Sequence, residues 1–219
     1  MPSAKPADAA AICDVLSMPR SSTYISAAGG DKERAMALYG WNARISAALM
    51  LPAHFAEVSI RNAVSEALET VYGPRWPWDS TFEQSLPVGQ GSAYSPRADL
   101  RRTRGQQPST GKVIAELKFA FWQSMFTARH DVRVWNHQIL TLFPNSPQLT
   151  PKQLRNRIYT DLEVIRKLRN RIAHHEPIFG RNLVDDRTRL LELVALRSSE
   201  TATWVRAMEE VGTLLTERP

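Results

Sequence analysis

A single cysteine, Cys13, occurs in the 219 residues, so no disulfide can form within the chain, and a reducing cytoplasm is the expected location. No apolar run approaches the ~20 residues of a membrane-spanning helix, and no membrane association is expected. Met1 to Ala10 lacks the basic flank and apolar core of a secretory leader. Strand signals are almost absent, which points away from α/β and all-β folds. Gly89-x-Gly91 has neither a preceding strand nor a third glycine, so it does not read as a dinucleotide loop. His174-His175-Glu176 is a poor metal site, because adjacent side chains diverge and no second ligand cluster follows. No metal and no cofactor is expected, and no Ser/His/Asp arrangement can be inferred.

What the chain does have is basic charge in two places. Its formal net charge is +6. Residues 97–112 carry five bases (Arg97, Arg101, Arg102, Arg104, Lys112) against Asp99 alone. Residues 152–171 carry seven (Lys152, Arg155, Arg157, Arg166, Lys167, Arg169, Arg171) against Asp161 and Glu163. The remainder is therefore net negative. Charge concentrated in this way suits a polyanion, although solvated helix faces with excess arginine would produce the same count.

The periodicity predicts a single all-α domain of about six helices over residues 31–216, a long basic loop within it, and an N-terminal extension over 1–30 with a short helix from about Ala9 to Leu16. Asp8 is a candidate N-cap for that short helix. Asp31 is placed to cap a helix through about Met50, and Pro52 to open another through Tyr72, ended by Gly73-Pro74. Trp76-Pro77-Trp78 reads as a non-helical corner. Residues 85–111, rich in Gly, Pro, Ser and Arg, read as the long loop, with Ser95-Pro96 able to open a short helix inside it. Further helices are expected over Lys112–Ala128, Asp131–Leu142, Asp185–Leu196 and Ser199–Leu215. Thr150-Pro151-Lys152-Gln153 is a capping-box start, after which Leu154, Ile158, Leu162, Ile165, Leu168 and Ile172 form one apolar stripe.

That helix ends in Leu168-Arg169-Asn170-Arg171-Ile172-Ala173-His174-His175-Glu176-Pro177. At ~100° per residue from Leu154, the stripe spans roughly −40° to 80° and Arg169 falls near 60°. A guanidinium within an apolar stripe must be paired or functional, because an unpaired buried charge is very costly. One reading is an arginine bridging a carboxylate on a neighbouring helix. The other is a phosphate ligand, with an imidazole close by that titrates near neutrality. Ideal helical geometry sets Arg169 about 140° from His174 and about 240° from His175. Joint action therefore requires a distorted last turn or a second chain.

Arg169-Asn170-x-x-x-His174 resembles the Arg-x4-6-His signature of the HEPN superfamily, whose catalytic members are metal-independent ribonucleases. The wider pattern resembles Abi-like abortive-infection proteins of the AbiD/AbiF type over about residues 31–180. It comprises Leu38–Asn42, Glu57–Ala63, Gly111–Trp122 and Ile165–Ile178, in that order. The resemblance implies an HEPN-like helical bundle that forms a homodimer, bringing two Arg/His motifs into one cleft. It further implies a role in phage defence or as a toxin, with RNA as substrate and, for some members, a neutralising small RNA as partner.

On this reading Arg169, His174 and Asn170 are the catalytic candidates, with His174 favoured over His175. His175, Glu57, Arg61 and Asn62 are candidate supporting residues. Arg101, Arg102, Arg104, Arg166 and Arg171 are candidate RNA-binding residues. Glu57 and Arg61 also read as an ordinary i,i+4 pair, worth a few tenths of a kcal/mol if exposed. His175 could instead cap the helix or pair with Glu176. The alternative function is a non-catalytic RNA-binding or interaction module.

Overall fold

The computed structural model describes residues 8–89, 91, 93–146 and 148–219, and every regular element among them is helical. The first seven residues of the expected N-terminal extension lie outside the described residues. Asp8 accepts from the Ala10 and Ala11 N–H groups and starts α1 (Ala9–Leu16), which is followed by α2 (Met18–Ala27). Both pack on α3 (Lys32–Tyr72), and Cys13 and Tyr24 enter the common core.

α3 is one helix of 41 residues, so the boundary expected at Pro52 is not there. Proline at this position removes one i→i−4 hydrogen bond. Burial of Leu49, Pro52, Ala53 and Ala56 on either side of it offsets that loss, as tertiary packing commonly overrides local propensity. Asp31 caps the start through the Arg34 N–H, and Gly73, at φ 80°, ends the helix in a conformation that L side chains rarely adopt.

Ten α-helices, rather than about six, occur among the described residues of 31–216, because two predicted helices are split and segments read as loop are helical. Trp76-Pro77-Trp78 is a 3-10 turn rather than a non-helical corner, with proline in the first turn where its missing N–H costs nothing. α4 (Ser80–Ser85) follows. The basic segment is not a long loop. Ser95 caps α5 (Pro96–Gln106), so Arg97, Arg101, Arg102 and Arg104 all ride on a helix.

The helix expected over 112–128 divides into α6 (Thr110–Glu116) and α7 (Phe119–Ser124). Leu117 and Lys118 are extended between them. In a continuous helix, Ile114 O and Ala115 O would accept from the Lys118 and Phe119 N–H groups. Here Arg61 Nη1 serves both carbonyls, at 3.4 and 2.9 Å, while the Lys118 N–H turns to Asp99 Oδ2 at 3.4 Å. Side chains from α3 and α5 thus take over the hydrogen bonds that the break gives up.

The segment expected as one helix over 131–142 is a π turn at Asp131–Trp135 followed by α8 (Ile139–Leu142). The π turn sets the Asp131 carboxylate against the buried Arg155 in a two-point pair, at 2.8 and 3.1 Å. α9 (Pro151–Ala173) begins with the anticipated capping box at Thr150 and Gln153. α10 (Leu183–Arg197), α11 (Ser199–Met208) and α12 (Val211–Thr216) complete the chain, the last two dividing the helix expected over 199–215. Trp41 Nε1 donates to Leu214 O at 2.7 Å, tying α12 back to α3. None of the described helices is long and apolar enough to cross a membrane.

Candidate functional site

The stripe of α9 delivers Arg169 to the junction of α3, α7 and α9. Its Nη2 lies 2.8 Å from the Glu57 carboxylate of α3, and its guanidinium carbon sits 5.0 Å from the centre of the Phe119 ring, which opens α7. Glu57 is buried and holds Arg61 with its other oxygen. It is therefore no surface i,i+4 pair but a carboxylate shared by two cations. The α6–α7 break is what turns Phe119 beneath Arg169, and Arg61, which replaces the lost hydrogen bonds, shares Glu57 with it. The Nε atoms of Arg61 and Arg169 are both buried without a hydrogen-bond partner among the described residues.

Two turns earlier on α9, Glu163 accepts from Arg166 and from Gln123 Nε2 of α7, the latter at 2.6 Å. Those hydrogen bonds, Arg166 first, hold the Glu163 carboxyl at about 2. Arg166 is thus tied to its own helix.

Past Ala173 the chain closes in a Schellman motif. The His174 N–H bonds to Asn170 O, the His175 N–H to Ile172 O, and the Glu176 N–H to Arg171 O at 2.8 Å. His174 is the cap residue, so neither histidine belongs to the last helical turn. His175 takes the left-handed position, at φ 55°, that glycine usually fills. The Arg171 guanidinium donates twice to Pro177 O and lies 3.6 Å from Glu176, which leaves His175 without that carboxylate. Buried Asn42 of α3 accepts from the Ile178 and Phe179 N–H groups and fastens the segment beyond the corner.

His174, His175 and Asn170 are exposed. His174 and His175 line a cavity of about 330 Å³ against α2, of which Arg169 is not a lining residue. Within one chain, then, the structure unites Arg169 with Glu57 and Arg61, and sets His174 beside His175 and Arg20. Asn62 is exposed on α3. On α5, Arg104 and Arg101 both pair with buried Glu83, and Arg102 pairs with Asp99. No three His, Cys, Asp or Glu residues gather as a metal site among the described residues.

No family model matches the chain, and no curated protein or solved structure is similar to it. The site is therefore read from its own residues. Phe119, Gln123, Asn42 and Arg20 were absent from the sequence-derived candidates. Phe119 reads as core in the sequence, Asn42 has no signal beyond its place in a family-like string, and Gln123 and Arg20 have none at all.

Proposed function

We propose that the chain is a metal-independent endoribonuclease of HEPN type, acting in phage defence or as a toxin in the cytoplasm, with Arg169 and His174 as its working pair. One observation carries the reading: Arg169 is braced from two sides, by Glu57 and by the Phe119 ring, in the same motif that leaves the His174 imidazole exposed five residues on. A guanidinium fixed before substrate arrives costs little reorganisation when charge develops on a phosphate. About a quarter of the Arg169 side chain remains exposed, so the guanidinium can be reached by a phosphate oxygen.

In the reaction, an imidazole takes the proton of the ribose 2′-hydroxyl, whose oxygen forms a bond to phosphorus. The bond to the 5′-oxygen breaks, and that oxygen receives a proton from an imidazolium. The products are a 2′,3′-cyclic phosphate and a 5′-hydroxyl, and DNA resists because it lacks the nucleophile. A homodimer would bring the Arg169 of one copy to the His174 of the other, which answers their separation within a single chain. A neutralising small RNA is a further partner on this reading.

A second reading is favoured by the Glu57–Arg169 pair itself, since a guanidinium already satisfied by a carboxylate can be purely structural. On that reading the chain is a non-catalytic RNA-binding or interaction module. Incubation of purified protein with RNA in EDTA separates the two. The nuclease is supported by cleavage that falls about 100-fold or more in both Arg169→Ala and His174→Ala. Tight RNA binding without cleavage establishes the second reading instead. Full activity in a monomer at micromolar concentration removes the composite cleft.

A further inference from the structure

Among the described residues only two non-glycine positions have positive φ, Ser17 at 70° and His175 at 55°, and both line the same cavity of about 330 Å³. Backbone held in sparsely populated regions collects at ligand sites, where the surrounding structure sustains the cost. Ser17 joins α1 to α2, and His175 closes α9, so two segments distant in sequence place their strained residues around one cavity. Glycine would relieve either position, yet the chain keeps a hydroxyl at one and an imidazole at the other.

Arg20, on the first turns of α2, completes the wall. Its Nη1 donates to His175 O at 2.7 Å, which locks the strained residue and satisfies a carbonyl at the negative end of α9. A guanidinium has five N–H donors, and no carboxylate lies within ion-pair distance of Arg20 among the described residues. The carboxylate in the cavity, Glu176, is directed to Arg171. Thr23 and His174 add a hydroxyl and a second imidazole.

A second cavity of about 300 Å³ adjoins the first, sharing His175 and Glu176 with it. Its other walls include Tyr24, Tyr39, Asn42 and Ile172. The two tyrosine rings meet at 4.8 Å. Burial, with Tyr39 adding to it and Arg20 opposing, pushes the Tyr24 phenol up to about 12, so it stands as a neutral, partly apolar wall at physiological pH. A polar, cationic cavity that shares two lining residues with a more enclosed, partly apolar one has the division of a nucleotide site, where phosphate is held by donors and the base by an apolar wall.

We propose that the corner between α2 and the end of α9 is a single-stranded RNA subsite, in which Arg20 and His175 hold a phosphate neighbouring the scissile one and the Tyr24–Tyr39 cavity receives its nucleotide. The subsite relies on the ribonuclease reading only for RNA as the ligand. It assigns His175 a binding role distinct from that of His174, and it gives the N-terminal helices a reason to pack where they do.

The test uses the full chain in EDTA with a fluorescent, fully 2′-O-methylated oligoribonucleotide, which has no nucleophile and reports binding alone. Arg20→Gln and His175→Gly are each expected to lower its affinity by about tenfold, the loss of one charge-assisted contact. His175→Gly is also expected to raise the melting temperature by a few degrees, because glycine adopts φ 55° freely, so weaker binding cannot be laid to unfolding. Affinity that stays at the unsubstituted level in both variants, or oligonucleotide that fails to bind the unsubstituted chain, overturns the subsite even if unmodified RNA is cleaved. Binding that depends on Arg20 and His175 in a chain that never cleaves unmodified RNA upholds the subsite and removes the nuclease.

Discussion

Arg169 of α9 and Glu57 of α3 meet at 2.8 Å, where the last turns of α9 cross the middle of the longest helix. Glu57 is 8% exposed and faces two guanidinium groups, so its charge is over-compensated rather than merely balanced. Glu57→Gln therefore leaves two cations around a neutral amide. The expected loss is about 1–2 kcal/mol in urea unfolding, below the 3–5 of a fully buried pair because both arginines retain solvent access. On the nuclease reading the same variant slows RNA cleavage by more than its stability loss explains. Unchanged cleavage in a folded Glu57→Gln protein would show that the brace does not serve the reaction.

His130 gives a pH dependence with a defined sign. It is 3% exposed, and burial, with Arg129 adding to it, lowers its pKa from 6.5 to about 4. Between those values the unfolded chain binds a proton that the folded chain refuses, so stability rises with pH. Its contribution, on the order of 3 kcal/mol for a shift of this size, is present above about pH 6.5 and is lost as pH falls toward 4. Urea titrations at pH 7 and 4.5 should show a smaller difference for His130→Leu than for the unsubstituted chain. Equal differences in the two proteins would contradict this assignment.

On α5 the arginines should divide by what they do. Arg101 and Arg102 are 61% and 56% exposed, while Arg104 is 21% exposed, pairs with Glu83 and donates to Pro77 O. Replacing Arg101 and Arg102 by Gln is expected to cost about 1 kcal/mol or less, since both guanidiniums lie largely in solvent, Glu83 keeps Arg104, and Asp99 keeps the Tyr94 hydroxyl and the Lys118 N–H. It should also lower the slope of log affinity for RNA against log salt by about 2. Arg104→Gln should instead cost about 1–2 kcal/mol of stability. A salt slope that survives the double substitution takes α5 off the RNA path.

Thr150 tests the capping box, whose two reciprocal hydrogen bonds both form. Thr150→Ala should destabilise the chain by about 1 kcal/mol in chemical denaturation. A change within experimental error would mean that burial of the α9 stripe alone determines where the helix begins.

The capping box and the α9 stripe were legible because their signals are local: a Thr-Pro-x-Gln start and apolar residues at steps of three and four. Asp8 and Asp31 were legible for the same reason, as short side chains bonding the first free N–H groups of the helices they precede. The break at Leu117–Lys118 was not legible, because the groups that take over its hydrogen bonds, Arg61 and Asp99, come from other helices. Pro52 misled in the opposite direction, since propensity argued for a boundary where burial sustains one helix.

At the site, the sequence alone determined that the chain is all-α, that its basic charge gathers in two segments, and that an arginine lies on the buried stripe of a helix ending in two histidines. Those properties depend on composition and on the 3.6-residue period. Only the tertiary structure decided that Glu57 is the partner of Arg169, that Phe119 lies beneath it, and that α2 brings Arg20 to His175. Each of these joins residues far apart in the chain, and such pairings arise when helices pack and polar groups leaving water must find partners where the fold places them.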